Sequence, residues 1–201
     1  MYRLRRFTEF RLTRCAPVLL FLCVLLFQSC GQTTSTNSLH LKSSATGEKD
    51  LAIKSGFAFA ITKTFTDTNG KMTTGSVYNV YLANYDLDPK TFSMSLDKPL
   101  TGDDQVRVVF SLVEDEGTND KSPPKPGSYA TRADKFMKAE SVGIVTRKNG
   151  TDVKSWLDRT TLNGEVKVTS AANDEISGDV DLSSGDISIK GAFTAKVLKR
   201  K

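Results

Sequence analysis

From about residue 51 onward, apolar and polar side chains alternate along the chain with a period of two. A period of two places successive side chains on opposite faces of a β-strand, so the pattern predicts strands that are buried on one face. The alternation is clearest at 187–197, and it recurs at 176–182, 166–168, 57–61 and 92–96. The stretch 106–113 is apolar at nearly every position, which predicts a central strand covered on both faces.

The predicted turns fit these strands. Asn-Gly pairs occur at 69–70, 149–150 and 163–164, and Ser184-Gly185-Asp186 separates two of the best alternating runs. Two residues that tolerate positive φ are what a tight type I′ hairpin needs, so each pair predicts a hairpin and antiparallel pairing.

Helical periodicity is weak after the first thirty residues. The segment 131–139 predicts at most one or two helical turns. Eight or nine short strands, each with one apolar face to cover, predict an all-β fold, either an antiparallel β-sandwich or, as the alternative, a closed β-barrel.

The first thirty residues have a different pattern. Five arginines precede residue 15, and residues 15–27 then carry no charge. A membrane-spanning helix needs about 20 apolar residues, so this run is too short to span and indicates the hydrophobic region of a cleaved signal peptide.

The end of the leader, Leu26-Phe27-Gln28-Ser29-Cys30, resembles the lipobox of bacterial lipoprotein precursors. The resemblance implies that residues 1–29 are removed by cleavage between Ser29 and Cys30 and that lipid is attached to the Cys30 sulfur. Gly31 in place of an aspartate implies transfer to the outer membrane, where the protein faces the periplasm or the cell surface.

The predicted domain organisation follows from this leader. The resemblance implies lipid on Cys30, and the residues from there to position 50 are mostly small or polar and without periodicity, so they predict a flexible Ser/Thr-rich tether. The single histidine, His40, is then a solvated tether residue. Residues 51–201 make up the all-β domain.

Charge and residue usage exclude several function classes. The net charge is +5, but five arginines and one glutamate before Cys30 contribute four of these charges, and the rest of the chain alternates basic with acidic residues. Nucleic-acid binding is therefore not expected. All three cysteines lie in the first thirty residues and the only histidine, His40, lies in the predicted tether, so the domain cannot assemble a Ser-His-Asp triad, a thiol nucleophile or a thiolate zinc site from its own residues. We predict no catalytic, cofactor-binding or metal-binding residues.

Three groups of residues still have chemical potential. The first is a set of acids, which we interpret as solvated turn residues rather than calcium ligands or a glycosidase pair: Asp67, Asp103, Asp104, Glu114, Asp115, Glu116 and Asp120. The second is a set of aromatic residues expected to reach the surface: Tyr78, Tyr81, Tyr85 and Trp156. Tyr81 and Tyr85 are predicted to share one face. The third is the proline cluster 122–127, which predicts a stiff loop between strands.

The sequence leaves three hypotheses for the mature protein. The first is a noncatalytic envelope lipoprotein whose β module, held on the membrane by lipid on Cys30, binds a protein, a glycan or a small molecule. The second is a carboxylate-dependent envelope enzyme such as a glycan hydrolase. The third is a structural envelope component.

Overall fold

A computed structural model describes residues 37–44, 47–89 and 98–199. Every regular element in these residues is a β-strand, which confirms the all-β prediction. The strands are β1 (Ser38–Ser43), β2 (Gly47–Ala52), β3 (Ser55–Thr66), β4 (Met72–Ala83), β5 (Val106–Val113), β6 (Gly127–Ala130), β7 (Lys138–Lys148), β8 (Thr151–Trp156), β9 (Asn163–Ala172), β10 (Glu175–Ser184) and β11 (Ile187–Leu198). The predicted signal peptide, Cys30 and the strand at 92–96 lie outside the described residues.

The strands pair into one mixed sheet in the order β6-β9-β10-β11-β3-β4-β5-β7-β8. β1 pairs with β11, and β2 pairs with β1. The last strand, β11, runs parallel to β3, so the prediction of purely antiparallel pairing is wrong. The closed-barrel alternative is also wrong, because the sheet is open: its pairing path ends at β6 on one side and at β8 on the other.

Three of the four predicted hairpin turns are confirmed. Residues 69–70 lie between β3 and β4, residues 149–150 join β7 to β8, and residues 185–186 join β10 to β11. Asn149 and Gly150 both have positive φ, at 51° and 78°, as a type I′ turn requires. The turn residues therefore set the register of these strand pairs.

The fourth Asn-Gly pair does not form a hairpin. Asn163 and Gly164 begin β9, where Gly164 pairs with Leu182 of β10. A Cβ on Gly164 would lie 1.9 Å from the Asp181 carbonyl oxygen, so the missing side chain allows the backbones of β9 and β10 to approach closely here. The β9–β10 turn is instead formed by 173–174, both with positive φ.

The predicted tether is wrong for the residues that the structure describes up to position 50. β1 pairs with β11 on one side and with β2 on the other. Leu39 and Leu41 of β1 are buried in the core together with Leu51 of β2. Burial of two alternating leucines stabilises β1 in the sheet although its other residues are polar. The folded domain therefore includes Asn37 and does not begin at residue 51.

The predicted helical turns at 131–139 are also wrong. Residues 131–137 form turns and bends, and β7 begins at Lys138. Met137 has a positive φ of 48°, which is incompatible with a helix at that position.

The main core lies on one face of the sheet and receives side chains from both ends of the strand order. Phe110 of β5 and Phe193 of β11 meet with ring centroids 5.4 Å apart. In a flat sheet, three steps of about 4.8 Å would separate β5 from β11. Because the two rings nevertheless meet, the sheet curls to enclose this core. A smaller cluster of Tyr81, Ala83, Leu87 and Val109 covers the other face, and β5 is buried throughout, as predicted.

Candidate ligand-binding cleft

Glu114 follows β5 directly and is buried, with only 1% of its surface exposed. Its backbone N–H donates to the Ser76 carbonyl at 2.8 Å, which extends the pairing of β5 with β4 by one residue. The carboxyl Oε1 accepts hydrogen bonds from the Tyr129 hydroxyl at 2.6 Å and from the Lys125 N–H at 3.2 Å. Oε2 is buried and has no hydrogen-bond partner.

Burial raises the pKa of Glu114, and the hydrogen bonds from Tyr129 and Lys125 oppose this effect in part. A charged carboxylate with one unpartnered oxygen is costly to bury, so Glu114 keeps its proton to higher pH than an exposed glutamic acid would. The prediction that Glu114 is a solvated turn acid is therefore wrong. An acidic run does not show which of its members faces the core.

Two tyrosines extend the network from Glu114 to the proline-containing loop. The Tyr129 hydroxyl lies 2.9 Å from the Lys125 carbonyl, and the Tyr78 hydroxyl donates to the Ser122 carbonyl. Burial raises the pKa of Tyr78 to about 12, and burial together with Glu114 raises the pKa of Tyr129 further. Both phenols therefore keep their protons at neutral pH and act as hydrogen-bond donors.

The loop 114–126 is tied to the sheet at further points. Lys125 Nζ lies 2.8 Å from Asp115 Oδ2, and Asp120 exchanges hydrogen bonds of 3.0 and 3.1 Å with the Thr62 hydroxyl of β3. Proline fixes φ and lacks an N–H, so the segment 123–126 has few conformations to lose when these contacts form. The proline-containing loop, which the sequence predicts to be stiff, is therefore also held to the sheet by side-chain contacts.

A cleft of about 540 Å³ lies beside this loop. Its apolar lining comes from the core side of the sheet and from the end of β11: Ala60, Tyr78, Ala171, Ala172, Val197 and Leu198. Its polar rim includes Lys121 of the loop and the Lys199–Asp174 ion pair, whose Nζ and Oδ1 are 2.8 Å apart. Glu114 does not line the cleft; it fixes the loop that forms one wall.

The small side chains explain why this cleft stays open. Three of the lining residues are alanines, with Ala60 on β3 and Ala171 and Ala172 at the end of β9. A volume of this size is in the range of small-molecule sites, and an apolar lining with a charged rim suits a ligand with an apolar body and a polar end. This site is not apparent from the sequence, because alanines in strands carry no chemical signal of their own.

No protein-family model, curated protein or solved structure matches the chain. No helix in the described part of the chain is long and apolar enough to cross a membrane.

The other acids flagged by sequence lie apart from the cleft or at its rim. Asp67 accepts backbone hydrogen bonds of 2.8 Å from Asn69 and Lys71, so it closes the β3–β4 turn as predicted. Asp103 Oδ1 lies 3.7 Å from Arg147 Nε near the β7–β8 turn. Within residues 37–44, 47–89 and 98–199, no group of three His, Cys, Asp or Glu side chains is arranged to hold a metal ion.

The aromatic residues divide between core and surface. Tyr78 and Tyr81 are buried, so the expectation that they reach the surface is wrong. Tyr81 and Tyr85 do lie in the same cluster, where the Tyr85 hydroxyl accepts a 3.3 Å hydrogen bond from Arg107 Nη1. Trp156 is 55% exposed, as predicted.

Proposed function

We propose that the chain is an envelope lipoprotein, anchored through Cys30, whose noncatalytic β module binds a small amphiphilic ligand in the cleft beside the 114–126 loop. The observation that carries the anchoring is the position of Cys30. It follows five arginines and the apolar run 15–27, and it lies seven residues before Asn37, where the described fold begins.

This spacing supports a module held close to the lipid. Seven residues reach at most about 25 Å when fully extended. Acyl chains contribute about 0.8 kcal/mol for each buried CH₂, and more than one chain gives stable anchoring. The outer membrane is the proposed location, because Gly31 follows the cysteine.

The cleft supports a binding role more than a catalytic one. Its loop wall is fixed by Tyr78 and Tyr129, whose raised pKa values keep their hydroxyls protonated. The rim supplies charges of both signs from Lys121, Asp120 and the Lys199–Asp174 pair. A ligand with an apolar body would cover the alanine lining and leave its polar end at this rim.

We also propose that the two halves of the curled sheet pack face to face as a β-sandwich. The contact between Phe110 and Phe193 supports this arrangement, because the two residues lie on strands that are not neighbours in the sheet.

Metabolic labelling with radioactive palmitate in a bacterial host tests the anchoring. We expect label in the full-length chain and none in Cys30→Ala, with the variant retained as an uncleaved precursor. Equal labelling of the two proteins would exclude Cys30 as the lipid site.

Cleft binding is tested by native mass spectrometry of the chain released from membranes. We expect copurified small molecules on the parent and none on Ala171→Trp, which fills the cleft with a large side chain. An identical ligand load on both proteins, with both folded by circular dichroism, would place the ligand elsewhere.

One observation favours the enzyme as a second candidate. Burial raises the pKa of the Glu114 carboxyl, which is the direction of shift that a general acid needs. Turnover of a glycan by the parent and its loss in a folded Glu114→Gln variant would support that alternative. Turnover that survives the substitution would remove Glu114 from the mechanism.

A further inference from the structure

Trp156, the last residue of β8, lies flat on the neighbouring strand. It pairs with Gly143 of β7, and a Cβ built on Gly143 would lie 2.6, 2.9 and 3.0 Å from three atoms of the indole ring. The absence of a side chain on Gly143 therefore lets one face of the indole rest on backbone. With 55% of the residue exposed, the other face is open to solvent.

An ordered cluster of charged groups lies on the same face of the sheet. Val109 pairs with Gly143, and Ser111 pairs with Glu140, whereas Phe110 between them points into the core. A bulge at Ser141, whose φ is 55°, accounts for the extra residue of β7. Glu140 and Trp156 therefore project on the same side, from adjacent rows.

The Glu140 carboxylate is held between two cations. Its Oε1 lies 2.9 Å from Lys63 Nζ, and its Oε2 lies 3.9 Å from Arg159 Nη2. Arg159 Nη2 also donates a 2.9 Å hydrogen bond to the Ser141 hydroxyl. The Arg159 side chain remains 66% exposed, so most of its donors are open to a ligand.

We propose that Trp156, Arg159 and Glu140 form a saccharide-binding site on the outer face of the β7–β8 hairpin. A pyranose ring with equatorial hydroxyls, such as glucose or N-acetylglucosamine, has a flat C–H face that packs on an indole. Its hydroxyl groups both donate and accept, so they pair with the Glu140 carboxylate and the Arg159 guanidinium.

The position of the site indicates a chain rather than a single sugar. β8 ends the pairing path of the described sheet, so the indole lies on an edge strand. A polysaccharide can pass across such an edge while one of its rings stacks on Trp156. The cleft beside the 114–126 loop shares no residue with this site, and saccharide binding does not depend on the proposed lipid or cleft ligand.

Tryptophan fluorescence reports on this site directly, because Trp156 is the only tryptophan in the sequence. The full chain, purified in a detergent without a sugar headgroup, is titrated with the tetrasaccharides of N-acetylglucosamine and of β-linked glucose. We expect a saturable shift of the tryptophan emission to shorter wavelength with at least one of them. Isothermal titration calorimetry should give a matching dissociation constant.

Three variants test whether Trp156 and Arg159 bind the saccharide. By calorimetry, Trp156→Ala and Arg159→Ala should each weaken binding about tenfold or more, and Trp156→Phe should retain part of the affinity. As a control, Met72→Ala, which removes another exposed apolar side chain at 68% exposure, should bind like the parent. All variants should show the parent far-ultraviolet circular dichroism.

Two results would overturn the proposal. One is unchanged emission with both tetrasaccharides, together with no cosedimentation of the parent with insoluble chitin or cellulose. The other is an affinity of folded Trp156→Ala equal to that of the parent.

Discussion

The Phe110 ring packs edge-on against the Phe193 ring, with centroids 5.4 Å apart and planes inclined by 82°. β5 and β11 are separated in the sheet by β3 and β4, so this contact joins strands that do not hydrogen-bond to each other. Edge-to-face geometry is a favoured arrangement for aromatic pairs. The Phe110–Phe193 contact therefore stabilises the curled form of the sheet.

Phe193→Ala should lower the free energy of unfolding by about 3–5 kcal/mol, because it leaves a cavity between the two parts of the sheet. Urea denaturation followed by circular dichroism measures this loss. Met72→Ala, at an exposed position, should change stability by no more than about 0.5 kcal/mol. In a double-mutant cycle, Phe110→Ala and Phe193→Ala should be coupled by about 0.5–1.5 kcal/mol or more; additive losses would mean that the ring contact stabilises nothing.

Glu114→Gln should stabilise the protein at alkaline pH. Because burial raises the pKa of Glu114, the folded state retains the proton to higher pH than the unfolded chain does. The associated stability is complete below the unfolded pKa of about 4.3 and is lost as pH rises through the folded pKa. The substituted amide would stay neutral at every pH, and its oxygen can still accept a hydrogen bond from Tyr129.

Urea midpoints at pH 4 and pH 8 check this expectation. The variant and the parent should agree closely at pH 4, and the variant should unfold at higher urea at pH 8. A parent that is the more stable protein at pH 8 would show that the charged carboxylate is compensated in the folded state.

His40 should titrate above its ordinary pKa of about 6.5. Hydrogen bonds to Asp50 at 2.8 Å and to Glu48 at 3.1 Å raise the pKa of this imidazole, since both ring nitrogens face carboxylates across the β1–β2 pair. The contribution of these contacts to folding stability is complete below the pKa of His40 in the unfolded chain, and it is lost as pH rises through the pKa of His40 in the folded protein.

The proton resonances of this single histidine follow its titration without assignment ambiguity. Asp50→Asn should move the pKa down toward the ordinary value. An unshifted parent titration, or one that Asp50→Asn leaves unchanged, would mean that the cross-strand contacts do not persist in solution.

Gly143→Ala should lift the indole of Trp156 from β7, because the added methyl group would lie 2.6 Å from a ring carbon. We expect the tryptophan emission to move to longer wavelength as the ring becomes more hydrated. Ser155→Ala, beside Trp156 on the other face of β8, is the matched control and should leave the spectrum unchanged. Identical spectra for Gly143→Ala and the parent would mean that the ring does not rest on Gly143.

Sequence periodicity predicted the strands that carry the core. The alternation at 187–197 and the apolar run at 106–113 correspond to β11 and β5. In both cases the burial pattern is repeated over many residues, so one irregular position does not hide it. β1 was missed because its six residues contain only two apolar side chains, within a polar segment.

The cleft and the saccharide site depend on relationships that periodicity does not encode. Glu114 is buried because the loop after it folds back onto Tyr78 and Tyr129, a long-range contact. Trp156 was predicted to be exposed, yet its flat orientation depends on Gly143, its partner across the β7–β8 pair. Pairing across strands, rather than residue type alone, creates both features.

The intact mass of the chain purified from bacterial membranes shows whether Cys30 carries lipid. We expect a chain that begins at Cys30 and carries the additional mass of a diacylglyceryl group, and a Cys30→Ala protein without that addition. A mature chain that begins at another residue, or one that begins at Cys30 with no added lipid mass, would contradict this expectation.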